Sequence, residues 1–364
     1  MDISLGFYKS FREYTSKSQS LDEFLLGFRL QSIGMPNKAH ITLLLLSLGF
    51  HVAACSEVSD PADPSYMPDQ YIPPIDASRG GVDQGAPQPS TTVSVATFNV
   101  RKFFDTNCDT RNCGPGQFEA MPTDSEFRAK AQQIANGIRI LEADVLLLQE
   151  IETQTCLDTL LEALLDQGYT SAVLGETGGS ASLDVAVVSK VPVVGRRSYQ
   201  DMQIPLPNGG STTFSRDLLE VHLDYGESRV IVFNAHFKAK TRDDPDRRLA
   251  EATAARDIVT AVAEEEPNAL IVLGGDLNDT PGSAPITALE RQGQMLRIAA
   301  ELSPNDATYT FQGVPQAIDH LYLVETIGGR FVDGTARVVR SNQRGLAGSD
   351  HAGVVGSFEA FAAP

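Results

Sequence analysis

The chain has 364 residues, 42% hydrophobic and 21% charged, a composition that suits a globular protein with one large domain or two ordinary ones. Its formal net charge is −18; residues 1–55 hold five Lys/Arg against four Asp/Glu, so the remainder carries −19. That balance excludes binding to nucleic acid by bulk charge but leaves room for local basic patches. None of the four cysteines (Cys55, Cys108, Cys113, Cys156) stands in a C-x-x-C spacing, which excludes the common structural zinc sites.

From the N-terminus, residues 41–50 (ITLLLLSLGF) form an apolar run of ten behind Lys38. Such a run is too short to span a bilayer and has the proportions of a signal-peptide core. Val52-Ala53-Ala54-Cys55 resembles the lipobox of bacterial lipoproteins, which implies lipidation of Cys55 and a signal over 35–55 that starts at Met35. Residues 1–34 then read as an over-long extension, the alternative being a cytosolic segment ahead of a signal anchor. Ser56 in place of Asp implies, by the same resemblance, sorting to the outer membrane of a diderm bacterium. Residues 56–90 are rich in Pro, Asp, Gly and Ser and read as a disordered tether. The rest of the chain is thus expected outside the cytoplasm, held to a membrane only through Cys55. There Cys108 and Cys113, which flank CDTRNC, would close a small disulfide.

Over 91–364, β-rich runs alternate with helical patterns, and no second linker interrupts them, so one domain is expected. Strands are predicted at 93–98, 144–149, 183–189, 218–223, 229–235, 270–274 and 320–324. Phe127, Ala131, Ile134, Ile138 and Leu141 mark one face of a helix over 124–141. Leu249, Ala252, Ala255, Val259 and Val262 do the same over 246–265. Residues 224–228 suit a hairpin, and hairpins beside helical crossovers argue for mixed sheets.

The apolar runs stop abruptly at acids, amides and histidines: Asn99, Glu150, His236 and Asp276 with Asn278 follow a run, Asp319 opens the next, and Asp350-His351 precedes the final one. Singly, each is an ordinary turn residue. Together they read as ligands converging on one target, because period-two alternation puts Asn234 with His236, and Asp276 with Asn278, on one strand face.

The ordered set FNV, LLQE, NAH, GDLN, IDHLYL and SDH resembles the signature of the endonuclease/exonuclease/phosphatase superfamily. DNase I-like and exonuclease III-like nucleases, inositol polyphosphate phosphatases and neutral sphingomyelinases belong to it. The match covers essentially all of 91–364, with GDLN and SDH its most specific elements. The resemblance implies a DNase I-like α/β (α+β) fold, a four-layer α/β/β/α sandwich of two mixed β-sheets with outer helices and an active site at one edge.

It also implies roles. Glu150 would be the principal metal ligand, with Asp350 in the same oxygen set and Asn99 assisting either at the metal or at the phosphate; the set suits Mg2+, with Mn2+ or Ca2+ as alternatives. His351 would be the general base and Asp319 its orienting partner. Asp276 and Asn278 would position the nucleophile and a non-bridging oxygen. His236 would serve as general acid or hydrogen-bond donor, oriented by Asp184, which otherwise reads as a solubilising strand-edge charge. Alternation would place Lys238 and Lys240 on the face of His236, where they and Arg216 would receive substrate phosphates; the competing reading is a solvated strand end.

Three functions compete. The first is a monomeric extracytoplasmic nuclease acting on DNA or RNA. The second is a phosphodiesterase or phosphatase for lipid or small-molecule substrates, of sphingomyelinase or inositol-phosphatase type. The third, a catalytically dead surface-binding lipoprotein, has no need of the full acid–base and metal set.

Overall fold

The computed structural model describes residues 90–298, 307–342 and 345–363. The expected extension, signal peptide and lipobox Cys55 lie outside the described residues, as does the tether up to residue 89. Strand β1 (Ser90–Phe103) outruns its predicted end and carries the first polar ending. Helix α1 (Asp124–Leu141) has the predicted bounds because Thr123 and Glu126 form a reciprocal capping box, and its five predicted apolar positions are buried. There follow β2 (Val145–Ile151), α2 (Gln154–Leu164), β3 (Ser171–Gly175), β4 (Asp184–Ser189), β5 (Val193–Ser198), β6 (Ile204–Pro205) and β7 (Ser211–Thr212). Next are β8 (Leu219–Tyr225), β9 (Ser228–His236), α3 (Pro245–Glu265), β10 (Ala269–Asp276), α4 (Ala284–Glu290), β11 (Met295–Arg297), β12 (Tyr309–Phe311) and β13 (Val314–Gln316). The described chain ends with β14 (Asp319–Val324), β15 (Gly329–Phe331), β16 (Arg337–Val339) and β17 (Gly353–Phe361).

The expected hairpin turn over 224–228 is tighter than predicted. Tyr225 pairs with Ser228, leaving only Gly226 and Glu227 in the turn, with Gly226 at a φ of 70°. A two-residue turn of that hand matches strand twist and favours glycine, so the polar flanks join the ladder. Cys108 and Cys113 form a disulfide.

Two mixed sheets result. One runs β15-β17-β1-β2-β4-β3, with β16 also on β17; the other runs β11-β14-β10-β9-β8-β5. Their facing side chains, among them Val93, Val95, Leu147, Val185 and Val187 against Val221, Val230, Val232, Val272 and Leu321, make the central core. The outer face of the first sheet is covered by α1 and α2, and that of the second by α3 and α4. The four layers are therefore α/β/β/α, as the resemblance implied.

Parallel pairing of β1 with β2, and of β9 with β10, brings four carboxyl ends to one edge. The register sets His236 beside Asp276, and Asp276 beside Asp319 at the start of antiparallel β14. The glycines before Asp276 are required by contact. A Cβ on Gly274 would lie 2.5 Å from Leu321 Cδ2, and one on Gly275 only 1.8 Å from the Ala235 carbonyl oxygen, with φ at 152°. Gly275→Ala should therefore destabilise the fold by about 3 kcal/mol through overpacking against backbone. The check is chemical denaturation, and an unchanged midpoint would contradict the close approach.

Candidate active site

His351 sits buried at the mouth of the sandwich with its Nδ1 3.0 and 3.1 Å from the two carboxylate oxygens of Asp319. Its Nε2 faces Asp276, 3.9 Å from Oδ2. The Tyr309 ring stacks on the imidazole at a centroid distance of 4.7 Å and fixes the ring plane from the β12 side. Ser349 holds the preceding loop, its hydroxyl donating to the Asn99 carbonyl at 2.7 Å and accepting from His351 N at 3.0 Å.

Glu150 and Asp276 are linked through Asn99, whose amide nitrogen donates to Glu150 Oε1 at 3.2 Å and to Asp276 Oδ2 at 3.0 Å. The Asn99 oxygen accepts from Arg101 N at 2.9 Å. With acceptors on one side and a donor on the other, the amide orientation is fixed. Asn99 thus connects the two carboxylates through its amide nitrogen, while its oxygen, bonded once to Arg101 N, keeps a second lone pair.

The cleft holds about 260 Å3 and is lined by Glu150, Asp276, Asn278, Asp350, His351, His236, Arg101, Lys102, Arg216, Lys240, Tyr309 and Phe311, among others. Asp319 and Asn99 stand behind it. Four polar residues of the site, Arg101, Lys102, Glu150 and Asn278, have φ between 46° and 70°. Such backbone costs about 1 kcal/mol or more at each non-glycine position and persists where the surroundings hold it. Here Lys102 N donates to Glu150 Oε2 at 2.8 Å, and Asn278 N to Asp276 Oδ1 at 3.0 Å.

Two expectations fail geometrically. Asp184 does not orient His236: it accepts from the Thr177 and Ser182 hydroxyls at 2.6 and 2.8 Å within its own loop. Alternation explains why, since Asp184 shares parity with Ala186 and Val188, which pack beneath the helices, whereas His236 shares parity with Val230 and Val232 between the sheets. His236 Nδ1 is buried without a hydrogen-bond partner, and Nε2 is 3.6 Å from Asp276 Oδ2. Lys238 also leaves the cleft. Because β9 ends at His236, alternation stops there, and Lys238 Nζ donates to the Ala239 and Thr241 carbonyls, both at 3.1 Å. Lys240 reaches the cleft while paired to Asp279 at 3.1 Å, and Arg216 lines it as expected.

Sequence reasoning missed Arg101, Lys102 and Tyr309. The first two follow FNV directly and were visible as cations, but nothing in their identity announces a left-handed pair. Tyr309 lies on the short β12–β13 hairpin, whose only signal is Gly313.

The Exo_endo_phos model, described as the Endonuclease/Exonuclease/phosphatase family, matches residues 96–351. The chain belongs to this family. It is a phosphoester hydrolase, and enzymes of the family depend on metal ions. No curated protein sequence matches the chain. Similar solved structures include TDP2 from Caenorhabditis elegans, at 19% identity and TM-score 0.51 over 77% of this chain and 78% of that one. Others are family proteins from Beutenbergia cavernae (20%, TM-score 0.51, 75% and 72% covered) and Bacteroides vulgatus (17%, TM-score 0.52, 74% and 99% covered). At these identities the likeness is one of fold.

Does the site fit a family metal? Among the described residues, Asp276, Asp319 and His351 offer ligand atoms within 4.8 Å of one another. Yet both Asp319 oxygens are committed to His351 Nδ1, and Asp319 does not reach the cleft. Glu150, Asp350 and Asp276 do reach it. Each keeps lone pairs beyond its present hydrogen bonds, an oxygen donor set that fits a hard divalent cation.

The charges act on the histidines in opposite directions. Burial alone would lower His351, but Asp319 and Asp276 outweigh it and push its pKa up to about 10. Burial, helped by Arg216 and His351, holds His236 well below its ordinary 6.5. Burial, and then the charge of Asp319, raises Asp276. His236 is therefore neutral at pH 7, a hydrogen-bond donor and not a reservoir of protons. His351, left with the acids alone, is an imidazolium. With a folded pKa above its ordinary value, its proton contributes fully to stability below pH 6.5, and this contribution is lost as pH rises through about 10. In divalent-free protein, the His351 ring should stay protonated through pH 8 by NMR and titrate lower in Asp319→Asn. Adding Mg2+ should release a proton. A neutral ring at pH 7 without cation would contradict this electrostatic picture.

Proposed function

We propose that the chain is a divalent-cation-dependent phosphodiesterase, a nuclease that cleaves polymeric nucleic acid outside the cytoplasm. The observation that carries this reading is the Asp319–His351 pair aimed at Asp276 within one cleft that also carries Glu150, Arg101, Lys102, Arg216 and Lys240. Acid–base and cation-holding groups face a diester phosphorus, and a basic rim in an otherwise acidic chain suits further phosphates.

Glu150 and Asp350, with Asp276 beside them, would hold Mg2+, Mn2+ or Ca2+. A bound cation screens the phosphoryl charge and offsets the carboxylates that keep His351 protonated. In the neutral ring, Nδ1–H donates to Asp319, so Nε2 presents its lone pair to the cleft and takes the proton of the attacking water. Asp276 and Asn278 align that water and a non-bridging oxygen. His236, neutral and desolvated, donates a hydrogen bond to the charge that develops on phosphorus-bound oxygen. Tyr309 and Phe311 offer aromatic faces to a base.

A second reading has its own observation. Phe118, beneath Lys102, and Phe311 and Val314 at the hairpin tip expose apolar side chains. Such a rim also suits a phospholipid diester.

Purified 91–364 with Mg2+, Mn2+ or Ca2+ should nick plasmid DNA or cleave RNA, and His351→Ala should lower the rate by ~10² to ~10⁴-fold. Turnover of sphingomyelin alone would transfer the function to the second reading. The disulfide and the N-terminal pattern support an extracytoplasmic, outer-membrane lipoprotein with Cys55 as anchor. Cys55→Ala should move the full-length protein from the membrane to the soluble fraction of a diderm host, and unchanged fractionation would remove the anchor.

A further inference from the structure

Away from the reacting groups, the densest set of buried charges lies in the first two turns of α3. Glu251 is fully buried; one carboxylate oxygen accepts from Ser215 N at 2.6 Å and the other from Lys238 N at 2.6 Å. Arg248, also buried, donates to Asp279 Oδ2 at 2.9 Å, Asp243 Oδ1 at 2.8 Å and the Lys238 carbonyl at 3.1 Å. Arg247 donates to the Thr213 carbonyl at 3.0 Å. Asp279, already paired with Lys240, has its own carbonyl bonded by His320 Nε2 at 2.9 Å.

These bonds tie three loops, 213–217, 237–243 and 277–280, to one helix end. The same loops bring Arg216, Lys240 and Asn278 to the cleft. An apolar side chain would fill the place of Glu251 at lower desolvation cost. What only a carboxylate does there is accept N–H groups from two different loops at once. The two N–H donors it accepts from lie one residue from Arg216 and two from Lys240, so it sets the spacing of the two rim cations. Asp276, Asp319 and His351, held by β10, β14 and the 349–351 loop, make no hydrogen bond to Glu251 or Arg248.

We infer that Glu251 and Arg248 are positioning residues for a second phosphate subsite formed by Arg216 and Lys240, which selects substrates with a phosphate beside the scissile diester over isolated diesters. This rests on the reading of the cleft as a phosphodiester site.

The test compares wild type, Glu251→Gln and Arg248→Lys on a 5′-phosphorylated dinucleotide and on bis-p-nitrophenyl phosphate, which has no second phosphate. The gel and melting profile of each variant establish that it is folded; if Glu251→Gln is not, Arg248→Lys carries the test. The KM for the dinucleotide should rise ~10-fold, the size expected for a misplaced charge-assisted contact. The KM for bis-p-nitrophenyl phosphate and both kcat values should stay within about twofold of wild type. An equal KM rise for both substrates, or a fall in kcat with KM unchanged, would overturn the inference. Calorimetric binding of inorganic pyrophosphate with Mg2+ present gives a readout without turnover. If wild type hydrolyses neither diester, the phosphodiesterase reading falls, while weaker pyrophosphate binding by the variants still supports the subsite and wild-type binding by them rejects it.

Discussion

A buried amide link between the two sheets fixes everything above it. Asn234 on β9 donates to the Leu148 and Ala186 carbonyls of the opposite sheet, both at 2.8 Å, and its oxygen accepts from Gln149 Nε2 at 2.8 Å. Gln149 Nε2 also lies within hydrogen-bond distance of the Leu147 carbonyl and the Thr97 hydroxyl. Two apolar sheet faces can slide over each other at small cost, since burial is non-directional. Buried amides cannot, because each unsatisfied group costs about 1–3 kcal/mol. The residue after Gln149 is Glu150, two after Asn234 is His236, and two after Thr97 is Asn99. The link thereby sets how far the carboxylate of one sheet stands from the histidine of the other.

On that frame the electrostatics are local. The chain is strongly acidic, yet its cleft gathers Arg101, Lys102, Arg216 and Lys240 around Glu150, Asp276 and Asp350. Neither set neutralises the other by close pairing throughout: Arg101 stands 3.4 Å from Asp350, while Lys240 is drawn to Asp279. An anionic phosphoester is repelled by the net charge of the chain and attracted by the cations at this mouth, which favours encounters that reach it. Of the histidines lining the cleft, one is shifted up and the other down. His351 is held among carboxylates and carries a removable proton; His236 is desolvated beside cations and does not.

The strand borders were legible in the sequence because polar residues beside apolar runs survive as pattern: Asp276 stands at the end of one run, Asp319 and His351 ahead of others. The helix over 124–141 was legible to the residue, since the Thr123–Glu126 capping box writes its start. The errors arose where pattern stops carrying information. Alternation was extended past His236 as though β9 continued, which misplaced Lys238. Asp184 was assigned to His236 without knowing the face on which its strand begins, and one residue of parity decides that. The short strands β5 to β7 and β11 to β13 have no period long enough to read.

The left-handed residues of the site explain why its acids resist a simple division into ligand and scaffold. Glu150 Oε2 holds Lys102 N, Asp276 Oδ1 holds Asn278 N, and Asn99 Oδ1 holds Arg101 N, so three reacting or connecting side chains each retain a strained backbone through one oxygen. Glycine would relieve that strain but would remove the side chains the cleft uses at Arg101, Lys102 and Asn278. The loops are thus stable in this conformation only while the acids are in place, and the acids are aimed only while the loops are. An alanine at Glu150 or Asp276 deletes a charge and releases a loop together. An amide there deletes the charge but keeps an acceptor oxygen, and the difference between the two substitutions isolates what the negative charge itself contributes.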